Sequence, residues 1–544
     1  MTLPQFSSAQ NRPQARSMVI TTRGIVATAQ TLASQAGAQI LARGGSAVDA
    51  AITANAVLSV VEPVMDGPGG DLFALVWESK TGKLTAINAS GWSPKGLSLE
   101  YLKQQGIQGV PSGGIHTVTV PGCVDGWEKL HKRFGRLPWR DLFKPAIYYA
   151  ENGFPVTELI QWDWDDSSGN LQDDARAVYL PGGAAPKVGE IFRNPQLAHA
   201  FRLIADLGAR AVYSGPIAEA ILKTSRRYGG TMSADDLREY QSEFVEPIST
   251  TYRGWKVYEL PPNGQGIGTL EMLNILENFP VGEYPPDSAQ ALHLKIEAQK
   301  LATQDLKRYV GDPRVASVPS KGLLSKTYAK QRAALIDRDK ANCDTQPGNP
   351  EHGETTYLSV VDKDGNIVSW IQSISNFFGS GILVDGMGFL LHDRGAAFVS
   401  DPEHPNALGP RKRPFHTIIP GFMENGDQHI GFGIMRGMNQ AQAQMQLVTN
   451  IVDHKMNIQY ALEAPRFTKP SLGGCDLQIE SRVPESVREE LEKRGHRLSV
   501  VGEYSGFMGG GQVVLHDSAA KVNYGASSPR KDGAAVPEPD PYLK

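Results

Sequence analysis

Two consecutive threonines, Thr355 and Thr356, open a segment that alternates like a β-strand and follows a stretch rich in glycine and proline. A second strand-like segment at 367–375 carries Ser373 and Ser375. The turn sequence DKDGN separates the two segments, which together predict a β-hairpin. Hydroxyl groups would therefore collect at one end of this hairpin.

The length of the hairpin loop decides which hydroxyls face each other. A three-residue loop at 363–365 with a left-handed glycine places Thr355 opposite Ser373. Ser375 then shares their face of the sheet. A two-residue Asp-Gly turn would instead place Ser373 opposite Thr356 on the other face. We favour the longer loop because it groups the hydroxyls.

A threonine hydroxyl is a weak nucleophile unless a base accepts its proton. The sequence FGSGI lacks the spacing of a GxSxG nucleophile elbow. A chain cut directly before Thr355 would supply its own base, because a new α-amine has an unperturbed pKa of about 7.7–8.0. The polar stretch that ends at Glu354 suits such a cut. Taken alone, the threonines are also explained by their preference for strands.

Composition limits the partners that the chain could have. Of its 544 residues 40% are hydrophobic and 8% aromatic, which is enough for a large core. The formal net charge is -4 and no basic run is interleaved with aromatics, so we expect no nucleic acid partner. Neither a membrane span nor the apolar core of a signal peptide is seen. We therefore expect no membrane partner and a cytoplasmic location.

The sequence gives little sign of metal or cofactor chemistry. Cys123, Cys343 and Cys475 match neither a disulfide framework nor a CxxC metal site, and we expect ordinary thiols. No HExxH or comparable ligand cluster occurs, and the GxGxG sequence at 264–268 lacks the acidic partner of a dinucleotide site. We expect no metal and no cofactor.

Helical and strand-like segments alternate without a repeating βαβ rhythm. Capping-box spacing at Ser46 and Asp49 predicts the start of an apolar helix that Pro63 ends, and a hairpin follows it. The middle of the chain, roughly 130–330, is rich in helices. Residues 338–354 have almost no apolar content and mark a boundary. This order favours an α+β class in which helices cover antiparallel sheets.

Further motifs occur in an order typical of one enzyme family. TTYLSVVDKDGNIVS with the later FGSGI resembles the opening of the small subunit of the gamma-glutamyltransferase (glutathione hydrolase) family. Similar stretches extend over almost the whole chain, among them AGAQILARGGSAVDAAITANAVLSVVEP, GPGGDLFALVW, YRGWKVYELPPNGQGIGTLEML and GASSPRKDGAA. The resemblance implies an N-terminal nucleophile (Ntn) hydrolase with an αββα four-layer sandwich. It also implies a proenzyme that cleaves itself into two subunits.

The resemblance assigns parts of the chain to this maturation. Residues 1–354 would form the large (α) subunit and 355–544 the small (β) subunit of one fold. The cut falls between Glu354 and Thr355, and Thr355 becomes the nucleophile. Ser373 takes the place of a family threonine that hydrogen-bonds the nucleophile. The subunits are then each other's partners, and two such pairs could form a dimer.

Other residues align with the family's site. Ser375 stands where an asparagine usually contacts the substrate, and Tyr357 stands where histidine is frequent. Arg436 and Gly437 align with two glycines whose backbone N–H groups form the oxyanion hole. Such donors contribute roughly 2.7–4 kcal/mol each to transition-state binding.

The chain departs most from the family in the groups that hold a glutamyl substrate. The arginine that binds the α-carboxylate corresponds to Ser90, and the aspartate that binds the α-amine corresponds to Ala397. Two serines at the carboxylate correspond to His416 and Thr417. Charged hydrogen bonds contribute about 1.5–3 kcal/mol each, so a γ-glutamyl donor should bind less well.

Arg394, Arg436 and His416 are candidates to replace the lost groups. All three are donors or potential cations, which favours an acyl group that bears a carboxylate but no ammonium. Alternatively, Arg394 pairs with Asp393 or another acid, and His416 is a satisfied core histidine. The pattern is similar to divergent family members such as oxamate amidohydrolase and cephalosporin (glutaryl) acylases.

We therefore expect a self-processing amidohydrolase or acyltransferase that cleaves a γ-glutamyl or related acyl amide, a small molecule, through an acyl-enzyme. One alternative is a non-glutamyl acylase that acts on oxamate or glutaryl amides. A non-catalytic binding protein on the same fold is the alternative from another class. Thr355 and Ser373 favour an enzyme, whereas Arg436 at the oxyanion position favours a binding protein.

Overall fold

The computed structural model describes residues 13–344, 354–471 and 473–542, with the backbone alone at Glu354 and Thr355. The α-helices of this part of the chain are α1 Thr31–Ala42, α2 Ala47–Val61, α3 Leu99–Gln104, α4 Cys123–Phe134, α5 Lys144–Asn152, α6 Glu158–Ser167, α7 Asp173–Tyr179, α8 Pro195–Leu207, α9 Arg210–Tyr213, α10 Pro216–Arg227, α11 Ala234–Arg238, α12 Gly266–Leu276, α13 Ala289–Tyr309, α14 Ser320–Leu323, α15 Lys326–Ala333, α16 Asn439–Val452, α17 Ile458–Glu463 and α18 Glu485–Lys493. Its strands are β1 Val19–Thr21, β2 Ile25–Thr28, β3 Asp71–Glu78, β4 Lys83–Ala89, β5 Phe154–Pro155, β6 Ile191–Phe192, β7 Glu243–Val245, β8 Ile248–Tyr252, β9 Trp255–Glu259, β10 Glu354–Val361, β11 Ile367–Ser375, β12 Gly421–Asn425, β13 Gln428–Ile434, β14 Phe467–Thr468, β15 Asp476–Glu480, β16 Arg497–Val501, β17 Gly511–Asp517, β18 Val522–Ser527 and β19 Ala534–Pro537.

Two seven-stranded antiparallel sheets lie at the centre of the protein. The first has the order β19-β2-β10-β11-β3-β4-β7 and the second the order β1-β18-β17-β13-β12-β9-β8. Residues before 344 and residues after 354 contribute strands to both sheets. The two expected subunits are therefore interleaved parts of one fold and not separate domains.

The sheets face each other through a compact apolar layer. This layer contains Phe73, Tyr357, Ile371, Phe422 and Val514 among its buried members. Burying one face of each sheet against the other fixes their separation, as in other sheet-on-sheet packings.

Helices cover the outer face of each sheet. Helices α1, α2, α4, α5 and α8 share one core with the first sheet, where Trp127 and Trp370 are fully buried. Helices α12, α13, α16 and α17 share a second core with the second sheet. The layers thus follow the order αββα, which confirms the predicted α+β class with helices covering antiparallel sheets.

Local sequence signals place the helix that supports the central strands. The Ser46 hydroxyl accepts from Asp49 N–H at 3.1 Å and the Asp49 carboxylate accepts from Ser46 N–H at 2.9 Å, which confirms the capping box. Every residue of α2 is buried, as expected for a helix that is apolar on all sides. The helix ends at Val61, two residues before Pro63.

The hairpin β10–β11 has the register of the three-residue loop. Thr356 pairs with Gln372 and Val361 pairs with Ile367. Gly365 has φ +81°, the left-handed conformation that this loop requires. The pairing shifts between Glu354 and Thr356, so that Glu354 pairs with Ser375. The expected cut therefore lies at an irregularity of a central strand.

The expectation of ordinary thiols is wrong for two of the three cysteines. Cys343 and Cys475 form a disulfide although 132 residues separate them in the chain, and their Cα atoms lie 4.9 Å apart. Cys123 is free and buried. The fold brings the paired cysteines together, and sequence spacing carried no sign of it.

Throughout the part of the chain that the structure describes, no helix combines the length and apolarity needed to cross a membrane. The cytoplasmic location stays a prediction.

Gly433 on β13 lies directly against a side chain of the facing sheet. A Cβ atom at this position would overlap the ring of Tyr357 on β10, which is wholly buried. The Tyr357 hydroxyl is fixed by Ser369 at 2.8 Å and by Ser359 at 2.5 Å, so the ring cannot swing aside. Gly433 therefore permits the contact that positions β10 against the second sheet.

We expect Gly433→Ala to lower the free energy of unfolding by about 1–3 kcal/mol, because it overpacks this contact. Urea unfolding followed by tryptophan fluorescence measures the change. Gly113→Ala is the matched control, since a Cβ there meets nothing within 4 Å, and it should change stability by less than about 0.5 kcal/mol. In the double variant Gly433→Ala/Tyr357→Ala, the loss of stability should be smaller than the sum of the two single losses. Losses that simply add would show that Gly433 and Tyr357 do not interact.

Candidate active site

The serine-bearing end of β11 lies beside the start of β10. Ser373 and Ser375 are both buried, and the Ser373 hydroxyl accepts from Ser375 N–H at 2.7 Å. Ser375 has φ +80°, a left-handed conformation that is rare outside glycine. The side chains of Glu354 and Thr355, the expected cleavage site and nucleophile, lie outside the described residues.

The residue after the expected nucleophile is anchored from behind the sheet. Thr356 Oγ1 donates to Glu62 Oε2 at 2.7 Å, just beyond the end of α2. Lys531 Nζ lies 3.4 Å from Glu62 and 2.5 Å from Asp163, and all three side chains are buried. Burial raises the pKa of Glu62, while Lys531 opposes the shift. Sequence reasoning missed this ionic group, which the fold assembles from three distant segments.

Asp393 and Asn376 fix the chain that leaves β11. Asn376 donates to the Asp393 carboxylate from its backbone N–H at 3.0 Å and from Nδ2 at 2.6 Å. Burial raises the pKa of Asp393, and hydrogen bonds from Asn376 and from the Ser375 side chain oppose this shift. Arg394, the next residue, is consequently held close to the serine-bearing end of the hairpin.

Arg394 is a buried cation with unused donors. Its side chain is 2% exposed, and Nη1 donates to Thr417 Oγ1 at 2.7 Å. Its Nε and Nη2 atoms have no hydrogen-bond partner among the described residues. Burial lowers the pKa of Arg394 to about 10, so the group remains charged at neutral pH. Within the described ranges it forms no direct ion pair with Asp393, the alternative that its sequence position suggested.

His416 has both ring nitrogens engaged. Nε2 lies 3.1 Å from Asp71 Oδ2, and Nδ1 accepts from Ile418 N–H at 3.3 Å. Burial, together with the nearby Arg394 cation, holds the pKa of His416 well below its usual range. The ring is therefore neutral and is placed as a satisfied core histidine would be.

Asp71 connects several segments around these residues. Its Oδ1 accepts from Gly91 N–H at 3.0 Å and from Gly122 N–H at 3.2 Å. On the strand, Asp71 pairs with Ser373. Burial raises the pKa of Asp71 to about 7, and the Arg394 cation opposes the shift. The sequence signal that could have identified it is a carboxylate in the first position of a buried apolar strand, GGDLFALVW.

The Ser90 hydroxyl lies in a network of neutral side chains. The fully buried Ser90 hydroxyl accepts from Asn263 Nδ2 at 3.1 Å, and Asn263 Oδ1 accepts from Asn88 Nδ2 at 2.9 Å. The Ser90 carbonyl accepts from Arg413 Nε at 3.1 Å. The position that corresponds to the family's carboxylate-binding arginine thus presents no charge of its own.

Arg436 and Gly437 form the turn between β13 and α16. Their φ angles are +94° and +48°, so the arginine keeps a backbone conformation that suits glycine. Such a conformation costs on the order of 1–3 kcal/mol and persists only where the surroundings enforce it. The Arg436 guanidinium stacks on the rings of Phe377 at 5.5 Å and Phe507 at 4.5 Å.

Gln265 joins this turn to the Arg394 region. Its Nε2 donates to the Gly437 carbonyl at 2.9 Å and to the Thr417 carbonyl at 2.5 Å. Thr417 in turn accepts from Arg394. One hydrogen-bonded path therefore connects the expected oxyanion turn with the expected substrate-binding residues.

Potential metal ligands gather elsewhere. Among the described residues, the side chains that could share a metal ion are His293, Glu297 and His496, which are buried. Lys300 Nζ already bonds Glu297 at 2.7 Å, and a cation in that position opposes metal binding. These residues belong to α13 and the loop before β16, which carry none of the site residues above.

Taken together, the site offers a strand end rich in hydroxyls, a turn of glycine-like backbone and an isolated buried guanidinium. A guanidinium of this kind can bind a carboxylate, and backbone N–H groups at such a turn can stabilise an oxyanion. These are elements that acyl transfer uses.

Comparisons with known proteins agree with this geometry. The family model described as Gamma-glutamyltranspeptidase matches residues 33–538. The glutathione hydrolase-like YwrD proenzyme of Bacillus subtilis is 37% identical over 95% of this chain and 99% of its own length. The oxamate amidohydrolase proenzyme of Klebsiella pneumoniae subsp. pneumoniae is 33% identical over 95% of this chain and 99% of its own. The crystal structure of cephalosporin acylase from Bacillus halodurans matches with a TM-score of 0.90 and 41% identity, covering 98% of this chain and 99% of that one. The chain therefore belongs to the gamma-glutamyltranspeptidase family and is an Ntn hydrolase of that family.

Proposed function

We propose that the chain is a self-processing acylase for amides whose acyl group ends in a carboxylate and carries no ammonium group. It cleaves itself between Glu354 and Thr355 into a large subunit, 1–354, and a small subunit, 355–544. The observation that carries the choice of substrate is the buried Arg394 guanidinium with two unused donors.

The proposed reaction begins at the new N-terminus. Thr355 Oγ attacks the amide carbonyl while its α-amine accepts the hydroxyl proton. The N–H groups of Arg436 and Gly437 stabilise the tetrahedral oxyanion, and the Ser373 hydroxyl orients the nucleophile. The amine product leaves with a proton, which gives an acyl-enzyme ester. Water then releases the carboxylic acid and restores Thr355, or an amine acceptor takes the acyl group instead.

A carboxylate is the natural partner for Arg394. The edge of a guanidinium that holds Nε and Nη2 matches the two oxygens of a carboxylate. In this protein that edge is the unused one, because Nη1 already bonds Thr417. A buried cation with unpaired donors is costly, and a bound carboxylate would remove that cost.

The charges around Arg394 also favour an anionic ligand. Asp71 and Asp393 are the nearest acids, and burial raises the pKa of each. With its pKa at about 7, Asp71 is only partly ionised near physiological pH and offsets the Arg394 charge incompletely. His392 adds no charge, because burial lowers its pKa to about 3.

At Ser90 and Ala397, the two positions where the chain departs from the family, no side chain can accept a substrate ammonium group as a carboxylate would. Ala397 has only a methyl group, and the Ser90 hydroxyl is bonded to the Asn263 side chain. Oxamate and glutaryl amides both present an acyl carboxylate without an α-amine. The names of the oxamate amidohydrolase and cephalosporin acylase relatives therefore fit this site.

A second candidate is a γ-glutamyl amide such as glutathione. It is favoured by the glutathione hydrolase-like relative, which matches nearly the whole chain. Arg394 could hold its α-carboxylate, but its ammonium group would then require a different acceptor. A non-catalytic binding protein is less well supported, because Arg436 keeps the glycine-like backbone at the oxyanion turn.

We expect Thr355→Ala to abolish both self-cleavage and amide hydrolysis while leaving a folded single chain. Intact-mass analysis of the wild type after incubation at neutral pH should show a fragment that starts at Thr355 and ends at Lys544. Thr355→Ser is the matched control and should still cleave, because it retains a hydroxyl and an α-amine. A Thr355→Ala chain that cleaves itself would contradict the nucleophile assignment.

We expect Arg394→Met to lower kcat/KM for a glutaryl anilide by about 10- to 150-fold, the value of one charged hydrogen-bonding group. The pentanoyl anilide has the same chain length without the carboxylate, and its kcat/KM should change by less than about threefold. Arg411→Met is a control arginine variant, because Arg411 pairs with Asp236 and Glu239 on other elements.

Equal losses on both anilides would show that Arg394 acts only through the fold. Faster cleavage of γ-glutamyl anilide than of glutaryl anilide by the wild type would favour the second candidate. The same assay also includes oxamate as a third substrate, because its acyl group carries a carboxylate and no α-amine.

We expect glutarate, the product of that hydrolysis, to inhibit more weakly as pH rises through about 7. Below this pH Asp71 is protonated and no longer offsets the Arg394 charge, whereas above it the ionised Asp71 competes with the ligand. The inhibition constant should rise roughly three- to tenfold between pH 6 and pH 8. In Asp71→Asn the inhibition constant should stay at its low, pH 6 value across the whole range. A pH dependence unchanged in Asp71→Asn would contradict this role.

A further inference from the structure

The Cys343–Cys475 disulfide connects opposite sides of the proposed cleavage site. Cys343 precedes Glu354 and Cys475 follows Thr355, and their Cα atoms lie 4.9 Å apart. We propose that this bond joins the two chains of the processed enzyme covalently and that external thiols can open it. The proposal rests on the cleavage proposed above.

Both cysteines are held by folded parts of the molecule. Beside Cys343, Ala341 N–H donates to the Arg494 carbonyl at 2.7 Å, and Asn342 N–H donates to Glu297 at 3.2 Å. The Cys475 carbonyl accepts from Arg497 N–H at 2.8 Å, at the point where β15 and β16 begin. The end of the described large-subunit chain is thus docked on a small-subunit element.

Near the disulfide, non-covalent contacts also join the large-subunit part of the chain to the small-subunit part. His293 Nδ1 lies 2.9 Å from His496 Nε2, and Arg494 Nη1 donates to Gln290 Oε1 at 2.8 Å. Arg494 also donates to the Arg338 carbonyl at 2.8 Å. These contacts hold the two sulfur atoms near each other whether or not the backbone between them is intact. The resulting high effective concentration favours a bond between the chains.

The surroundings of the disulfide make one direction of opening easier. Cys343 is exposed, whereas Cys475 is 1% exposed. Lys300 Nζ lies 3.4 Å from Cys475 Sγ and also donates to the Asn342 carbonyl at 3.0 Å. A thiol reductant can therefore reach Cys343. The Lys300 ammonium lies beside the Cys475 sulfur, which would be the leaving group.

Opening then proceeds by two exchanges. An external thiolate attacks the Cys343 sulfur, forms a mixed disulfide there and releases Cys475 as a thiolate beside the Lys300 ammonium. A second external thiolate attacks the external sulfur of the mixed disulfide and releases Cys343. The external thiols become one disulfide, and the two protein thiolates take protons from water. The two electrons that reduce the protein bond come from the external thiols.

The first experiment uses the purified, processed wild type. Denaturing electrophoresis without reductant should show one species at the mass of the whole chain, and with reductant it should show two fragments. Alkylation after denaturation should modify one thiol, Cys123, without reductant and three thiols with it. Two separate fragments and three modified thiols in the absence of reductant would overturn the proposal.

Cys343→Ser is the matched variant. It should give two fragments without reductant while kcat for the acylase reaction is unchanged, because neither cysteine belongs to the proposed catalytic groups. Its urea midpoint should rise with protein concentration, since two unlinked chains dissociate on unfolding. The oxidised wild type should show a midpoint independent of concentration, and a midpoint that depends on concentration in both would count against the link.

Thr355→Ala separates this proposal from the cleavage itself. This uncut chain should also have one modifiable thiol before reduction and three afterwards. If the wild type also stays uncut and gives the same thiol counts, the disulfide is supported, but both self-cleavage and the link between two chains are overturned. An uncut wild type with three modifiable thiols would overturn the bond as well.

Discussion

The pairing of β10 with β2 on one side and β11 on the other is the interaction on which the site depends. In the middle of a seven-stranded sheet, β11 pairs with Thr356 to Val361, and β2 pairs with Ser359 to Val361 on the other edge. Thr356 is also held from behind by Glu62. These contacts all lie after Thr355, and only the Glu354–Ser375 pairing lies before it, so a cut before Thr355 would leave them intact. The strand can thus present a new chain terminus without losing its position.

Short-range signals predicted much of this arrangement. The DKDGN turn predicted the hairpin, and the observed register is that of the three-residue loop, which was favoured because it groups the hydroxyls. The Ser46 and Asp49 spacing gave the start of α2 for a similarly local reason. The alternation of helices with hairpins gave the α+β class. The roles of Thr355 and Ser373 came from resemblance and stay predictions.

Features made by distant segments could not be predicted from the sequence. Asp71 accepts from Gly91 and Gly122 and faces His416, which are far from it in sequence. Arg394 and Asp393 are neighbours in the chain, yet the carboxylate bonds Asn376 and the guanidinium bonds elsewhere. Adjacent residues in a tight turn point in different directions, so sequence proximity was a poor guide to ion pairing. The disulfide depended on the fold in the same way.

The position of Arg436 bears on whether the site can be catalytic. A bulky residue at φ +94° is strained, and nothing would retain that conformation in an unconstrained loop. Here Gln265 holds the next carbonyl, α16 begins two residues later, and the side chain is stacked on two aromatic rings. The surroundings therefore maintain a glycine-like φ at Arg436, in keeping with the proposed oxyanion role of this turn. The same substitution adds a cation near the site, which agrees with a preference for anionic acyl groups over zwitterionic ones.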